Sequence, residues 1–276
     1  MHEQIPMLSP LRYPGGKNWL RKIALSWLRN LPANPNIFIE PFGGGASVSF
    51  AVAHSKTVPR ILISELDPDV AALWKTIFGE NWKMLTERIE SLLLLRADVK
   101  KLLKAETGDE VDKAFRCLLR NRVQHGGVIA PGANLLQNGE ANRGIASRWY
   151  PETLVDRITK LHEMRHQIEF IECDGMKLIN QFRNNRRAAF FVDPPYLADG
   201  VGPGRRLYRH SDIVPEDIFQ ALSRVRGHFL LCYHDASAIR KLVREFGCRY
   251  RTISMRNTHH KDCRELLITK PQILAD

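Results

Sequence analysis

An acid, two prolines and an aromatic ring, Asp193-Pro194-Pro195-Tyr196, directly follow the apolar run Ala188-Ala189-Phe190-Phe191-Val192. A β-rich run that meets two prolines reads as a strand ending in a stiff loop, because proline fixes φ and holds the residue before it extended. The Asp193 carboxylate, the Pro194 carbonyl and the Tyr196 ring are then presented at the carboxyl end of a strand, where open α/β sheets bind ligands. That set suits a flat, amino-bearing ring, stacked on Tyr196 with its NH2 donating to Asp193 and to the Pro194 carbonyl. A surface turn with Asp193 as a helix cap is the other reading of the same four residues.

Two further segments narrow the chemistry. Ile37 to Ile39 run into Glu40-Pro41-Phe42-Gly43-Gly44-Gly45, and a small apolar stretch from Ala46 to Ala53 follows. This reads strand, tight turn, helix, with glycines that let a ligand approach backbone N–H groups. The turn lacks the G-x-G-x-x-G spacing and the G-K-[ST] of a phosphate loop, which favours a nucleoside without phosphates. Arg60 to Glu65 reads as a second strand ending in acids, and Glu65 lies 20 residues after Gly45. An acid at about that distance suits a pair of ribose hydroxyls. Asp67-Pro68 is expected to cap the next helix, with proline in its first turn.

Taken together, these segments resemble the Dam-type (DPPY) DNA adenine-N6 methyltransferases. The likeness runs over nearly the whole chain. It is carried by Leu11-Arg12-Tyr13-Pro14-Gly15-Gly16-Lys17, the Glu40 to Gly45 turn, Glu65-Leu66-Asp67-Pro68-Asp69, Cys173-Asp174-Gly175, Asp193 to Tyr196 and Glu265 to Thr269. The resemblance implies an α/β, Rossmann-like, S-adenosylmethionine-dependent methyltransferase sheet with an inserted, mainly helical target-recognition domain. It implies site-specific transfer of a methyl group from S-adenosyl-L-methionine to N6 of a flipped adenine in duplex DNA, with no metal. By position, Tyr13 and Lys17 would contact the cofactor. Glu40, Phe42, Gly43 and Gly45 would cradle its methionine end, Glu65 its ribose and Asp174 its adenine. Asp193 would stand at the reacting end, and Asp193, Pro194 and Tyr196 would be the catalytic set. Two positions depart from the pattern: Glu65 replaces the usual Asp, and Gly175 stands where an aromatic is common. Related proline motifs also serve methyl transfer to RNA or protein amides. A regulator that only binds DNA is disfavoured by the intact Lys17, Asp193, Tyr196 and glycine turn.

The elements that must position these residues follow from pattern and composition. With 276 residues, 44% of them hydrophobic, the chain can build one sizeable α/β core and carry an insertion. A catalytic domain is expected over 1–72 and 166–276, with the target-recognition domain over 73–165. Trp74, Ile77, Phe78, Leu85, Ile89, Leu92 and Leu93 fall at helical spacing. A polar loop from His125 to Arg148 follows, and a helical pattern resumes at Pro151. Arg120, Asn121, Arg122, Gln124, Asn138, Arg143 and Arg148 are of the types that read base edges or hold phosphates. A second basic zone, Gly200 to His210, contains Arg205 and Arg206 and is expected to close over the site.

Charge points to the same partner. The net charge is +11, which suits a polyanion such as double-stranded DNA. Residues 183 to 270 carry 17 Lys and Arg against 9 Asp and Glu, so much of the surplus lies beside the proposed chemistry. Five cysteines without a Cys-x-x-Cys pair argue against a disulfide framework or a zinc site. His259, His260, Asp262 and Cys263 match no standard metal spacing. No stretch approaches the ~20 apolar residues of a membrane helix. The expectation is a soluble, cytoplasmic, DNA-associated enzyme. It leaves room for a cognate restriction nuclease, as in restriction-modification, and leaves the oligomeric state open.

Overall fold

The computed structural model describes residues 5–12, 19–106, 108–129, 133–195, 213–256 and 262–271. Seven strands form one sheet: β1 Ile37–Glu40, β2 Ile61–Glu65, β3 Ile168–Glu172, β4 Ala188–Val192, β5 His228–His234, β6 Arg249–Arg256 and β7 Asp262–Thr269. Their order is β3-β2-β1-β4-β5-β7-β6. Strands β1 to β5 pair in parallel, and β7 is antiparallel to both of its neighbours. This is the expected α/β, Rossmann-like sheet. The sequence runs Ile37-Phe38-Ile39 and Ala188 to Val192 are apolar throughout rather than alternating. They form the central strands, buried at every position, as a parallel sheet covered on both faces requires.

Each face has its own core. On one side Phe38, Ile63, Phe191 and Leu230 pack with α1 (Leu20–Arg29), α2 (Ser47–Ser55) and α3 (Pro68–Phe78). On the other, Ile39, Leu62, Phe190 and Leu231 pack with α8 (Gly175–Phe182), α9 (Pro215–Ser223) and α10 (Ser237–Glu245). The chain winds outward from β1 through β2 to β3, then returns to the other side of β1 as β4. The switch of direction therefore falls between β1 and β4, where such sheets open a crevice at their carboxyl ends.

Between β2 and β3 lie α3, α4 (Trp82–Ser91), α5 (Arg96–Lys104), α6 (Glu110–Val123), short 3-10 turns at 125–127, 140–142 and 144–148, and α7 (Pro151–Glu163). Asp67 caps α3 as its sequence suggests. Its Oδ1 accepts from Asp69 N at 2.9 Å and Val70 N at 3.3 Å, with Pro68 in the first turn. The start of the insertion expected at 73 falls inside this helix. Leu85, Ile89, Phe115, Leu118, Leu154 and Ile158 join the same core as Phe38 and Ile63, so the inserted helices are welded to one face of the sheet.

A buried ion pair ties α6 to α3. Arg120 Nη1 donates to Asp69 Oδ2 at 3.0 Å, and both residues are under a tenth exposed. Removing one partner of a buried pair strands the other charge, so Arg120→Ala is expected to lower unfolding free energy by about 3–5 kcal/mol in urea titrations. A loss under about 1 kcal/mol would rank the pair with weak surface bridges.

Candidate active site

Three adjacent parallel strands end in acids on the crevice side of the switch point. Glu65 closes β2, Glu40 closes β1 and Asp193 follows β4. Glu40 is buried. Its Oε2 accepts from Ser49 N at 3.0 Å and from the Ser49 hydroxyl. Burial pushes its pKa up to about 8, against the pull of those two bonds, and the charges of Asp193 and Glu65 push it further the same way. Glu65 is also raised by burial, opposed by three backbone donors. Asp67 N lies 2.9 Å and Leu66 N 2.8 Å from Oε1, and Gly44 N lies 2.8 Å from Oε2. Asp193 is half-buried and Pro194 buried. Tyr233 on β5 feels Asp193 too: burial first, then the Asp193 charge, raises its hydroxyl.

The glycine turn is built by close approach. A Cβ on Gly43 would stand 2.6 Å from Ile63 Cγ2 and 2.9 Å from the Ser64 carbonyl oxygen, so β2 leaves no room for any side chain there. Gly43 N donates to that same carbonyl at 2.8 Å. Ser64 Oγ donates to the Pro41 carbonyl at 2.7 Å, and Trp74 Nε1 to the Gly44 carbonyl at 3.0 Å. Gly45, half-buried, leads into α2. The turn is thus fixed from three sides before any ligand arrives.

The same logic explains Gly175. A Cβ at that position would meet the Pro41 carbonyl oxygen at 2.4 Å and Phe42 Cε1 at 2.7 Å. The Phe42 ring lies against the start of α8, and the aromatic usual at 175 has no space. Asp174 caps this helix, its Oδ1 accepting from Met176 N at 2.7 Å. Tyr13, Lys17 and Tyr196 lie outside the described residues, as do Arg205, Arg206, His259 and His260.

The residues expected to read DNA divide into two groups. Asn138 and Arg143 are exposed and Arg148 is half-buried. Arg143 lies over the Tyr150 ring at 5.3 Å. Arg120, Asn121, Arg122 and Gln124 are buried, which corrects the expectation that they face a partner. Arg120 is committed to Asp69. Asn121 accepts from Arg12 N at 2.7 Å, and its Nδ2 donates to the Arg12 carbonyl at 3.1 Å and the Gly127 carbonyl at 2.9 Å. Arg122 donates to the carbonyls of Pro10 and Arg148. A side chain held this way cannot reach a base edge without breaking its internal bonds. The sequence reading missed Ser49, Ser64 and Trp74, which hold the acid and the turn. An apolar helical stripe gave no sign that Trp74 would donate a hydrogen bond.

Residues 13–256 match the family described as D12 class N6 adenine-specific DNA methyltransferase. The chain belongs to that family, whose reaction is methylation of adenine N6 in DNA with S-adenosylmethionine as methyl donor. Among solved structures it is similar to a precorrin-6y C5,15-methyltransferase from Geobacter metallireducens GS-15, at 12% identity and a TM-score of 0.42, over 96% of this chain and 98% of that one. It is also similar to a Pyrococcus horikoshii protein provisionally described as an RNA methyltransferase, at 11% identity and a TM-score of 0.42, over 97% and 91% of the two chains. No curated protein matches the sequence. Among the described residues no helix is long and apolar enough to cross a membrane.

Glu40 makes the site pH-sensitive. Its folded pKa of about 8 lies above the ordinary carboxylate range, so the folded chain keeps a proton that the unfolded chain releases. Its contribution to stability is full below the ordinary range and is lost as pH rises through about 8. Glu40→Gln, neutral throughout, is expected to flatten the fall in melting temperature of the ligand-free protein between about pH 5 and pH 8. An unchanged slope would show that Glu40 is ionised in the fold.

Proposed function

We propose that the carboxyl ends of β1, β2 and β4 form the pocket in which this enzyme joins S-adenosylmethionine to a target adenine, flipped out of a short recognised sequence in duplex DNA. The observation that supports this reading is the convergence of Glu40, Glu65 and Asp193 beside the Gly43–Gly45 turn. Burial and the neighbouring charges of Asp193 and Glu65 disfavour the ionised form of Glu40, and a cationic ligand among the three acids would offset that cost. When bound, S-adenosylmethionine supplies an activated methyl group on a sulfonium, and it carries an ammonium as well. Glu40, Phe42, Gly43, Gly45, Glu65 and Asp174 would hold it. Tyr13 and Lys17 join them through the Leu11 to Lys17 motif. Glu65 already accepts three backbone bonds, so it offers the ribose one remaining acceptor site rather than a whole carboxylate.

Asp193 and the Pro194 carbonyl accept hydrogen bonds from the adenine amino group. This fixes the nitrogen and favours the positive charge that grows on it. Because the exocyclic nitrogen is the nucleophile, no covalent enzyme intermediate is needed. Taking the base out of the stack costs a few kcal/mol, and stacking on Tyr196 returns about 1–3 kcal/mol. The segment between β2 and β3 would provide the target-recognition surface, with Asn138, Arg143 and Arg148 as its candidate contacts; the basic run that holds Arg205 and Arg206 would add further DNA contacts. These roles use one chain and duplex DNA. A cognate restriction nuclease and self-association lie outside them.

Asp193→Ala tests the proposal. Methyl transfer is expected to fall by at least about 100-fold, the usual loss when a group poised at developing charge is removed. S-adenosylmethionine should still bind by calorimetry, though more weakly. Near wild-type turnover in this variant would remove Asp193 from the chemistry.

A further inference from the structure

We propose that Arg12 and Arg148, reinforced by the charges of Arg122 and Arg157, form a seat for one backbone phosphate of the DNA, and that the Glu140 carboxylate fills this seat until DNA displaces it. The inference rests on DNA as the substrate and adds a gripping point built from residues other than the acids at the ends of β1, β2 and β4.

One oxygen of Glu140 bridges two guanidiniums. Oε1 lies 3.2 Å from Arg12 Nη2 and 3.3 Å from Arg148 Nε. Glu140 is half exposed, at 52% of its side chain, and sits on a turn in which Gly139, Ala141 and Asn142 all have positive φ. A carboxylate on such a turn can leave without unpicking a core. The arginines cannot. Arg157 Nη1 donates to the Ser9 carbonyl at 3.0 Å. Arg122 is 5% exposed and its two bonds go to the Pro10 and Arg148 carbonyls. Its buried Nε–H has no acceptor, and among the described residues it has no carboxylate partner.

Four guanidiniums against the Glu140 carboxylate and that of Asp156, which acts on Arg157, leave a surplus of positive charge. Burial first, then Arg157, Arg12 and Arg148, hold the Arg122 pKa down to about 9. An incoming anion relieves that strain. A phosphodiester carries the charge of Glu140 with two free oxygens, which suits the fork of an arginine better than a single bridging carboxylate oxygen. The position adds to the case. Arg12 and Pro10 immediately precede the Tyr13 to Lys17 cofactor motif, whereas Arg122, Glu140 and Arg148 belong to the insertion. A phosphate seated here would touch both.

Anisotropy titrations of the full chain with a labelled duplex of ~20 base pairs, over a range of salt, test this. Glu140→Ala is expected to bind roughly 10-fold tighter at low salt, whereas Glu163→Ala, an equal charge change on α7 outside the cluster, should gain less than about 2-fold. Arg148→Ala should weaken binding and lower the slope of log K against log salt by about 0.9, the loss of one phosphate contact. Glu140→Ala in the Arg148→Ala background should gain little. Equal gains in the Glu140 and Glu163 variants, or an unchanged salt slope in Arg148→Ala, would overturn the seat while leaving DNA as the substrate. A wild-type chain that binds no duplex would overturn both. Inorganic phosphate that weakens duplex binding no more than chloride at equal ionic strength supports a diester seat. Stronger competition by phosphate would reassign it to the free ion.

Discussion

Parallel pairing of β2, β1 and β4 forces three acids to the same edge of the sheet, and this crowding governs the rest of the site. Each strand must be apolar to fill a core with two faces, so the first tolerated polar groups come at the strand ends. There Glu65, Glu40 and Asp193 stand on adjacent strand ends; burial raises Glu40 and Glu65, and the charges of Asp193 and Glu65 raise Glu40 further. The surrounding residues hold that arrangement in place. Ser49 grips Glu40, three backbone amides grip Glu65, and β2 presses the glycine turn so closely that Gly43 cannot carry a side chain. The result is a strand edge at which burial and neighbouring charge favour the protonated form of Glu40, an effect that a cation beside it would oppose. A sulfonium donor is such a cation, and D12 class adenine methyltransferases use one.

The insertion is less separate than its place in the chain suggests. Its helices share a core with one face of the sheet, and its polar side chains reach back to the N-terminal segment. Asn121 is the main stitch. It completes both backbone hydrogen bonds of Arg12 as a neighbouring strand would, and adds one to Gly127. The segment that precedes Tyr13 in the sequence is therefore held by α6, the helix that leads into the polar stretch beginning at His125.

Much of the sheet was legible because strand ends announce themselves. Apolar runs closed by an acid, a glycine turn or two prolines gave β1, β2 and β4, and Asp67-Pro68 gave the cap of α3. The family followed from the order of those motifs. What the sequence hid were pairings across long stretches of chain. Arg120 finds Asp69 51 positions away, and Asn121 finds Arg12 109 positions away. Arg, Asn and Gln in a basic segment look alike whether they face DNA or fill a polar interior. Gly175 was legible only as a departure, and the Phe42 ring that excludes a side chain there is set by tertiary packing. The helical spacing from Trp74 to Leu93 is divided between α3 and α4, with Leu92 and Leu93 in the link to α5, because an apolar stripe does not show where the chain must turn to keep one face on the core.

The central claim is that this pocket moves a methyl group from S-adenosylmethionine to an adenine amino group in DNA. The direct measurement is transfer of labelled methyl from the cofactor to adenine-unmethylated duplex DNA, with single-molecule sequencing of the product. Label recovered as N6-methyladenine at one short recurring sequence is the predicted result. Cofactor binding without label on adenine, or label on another base or on RNA, would contradict it.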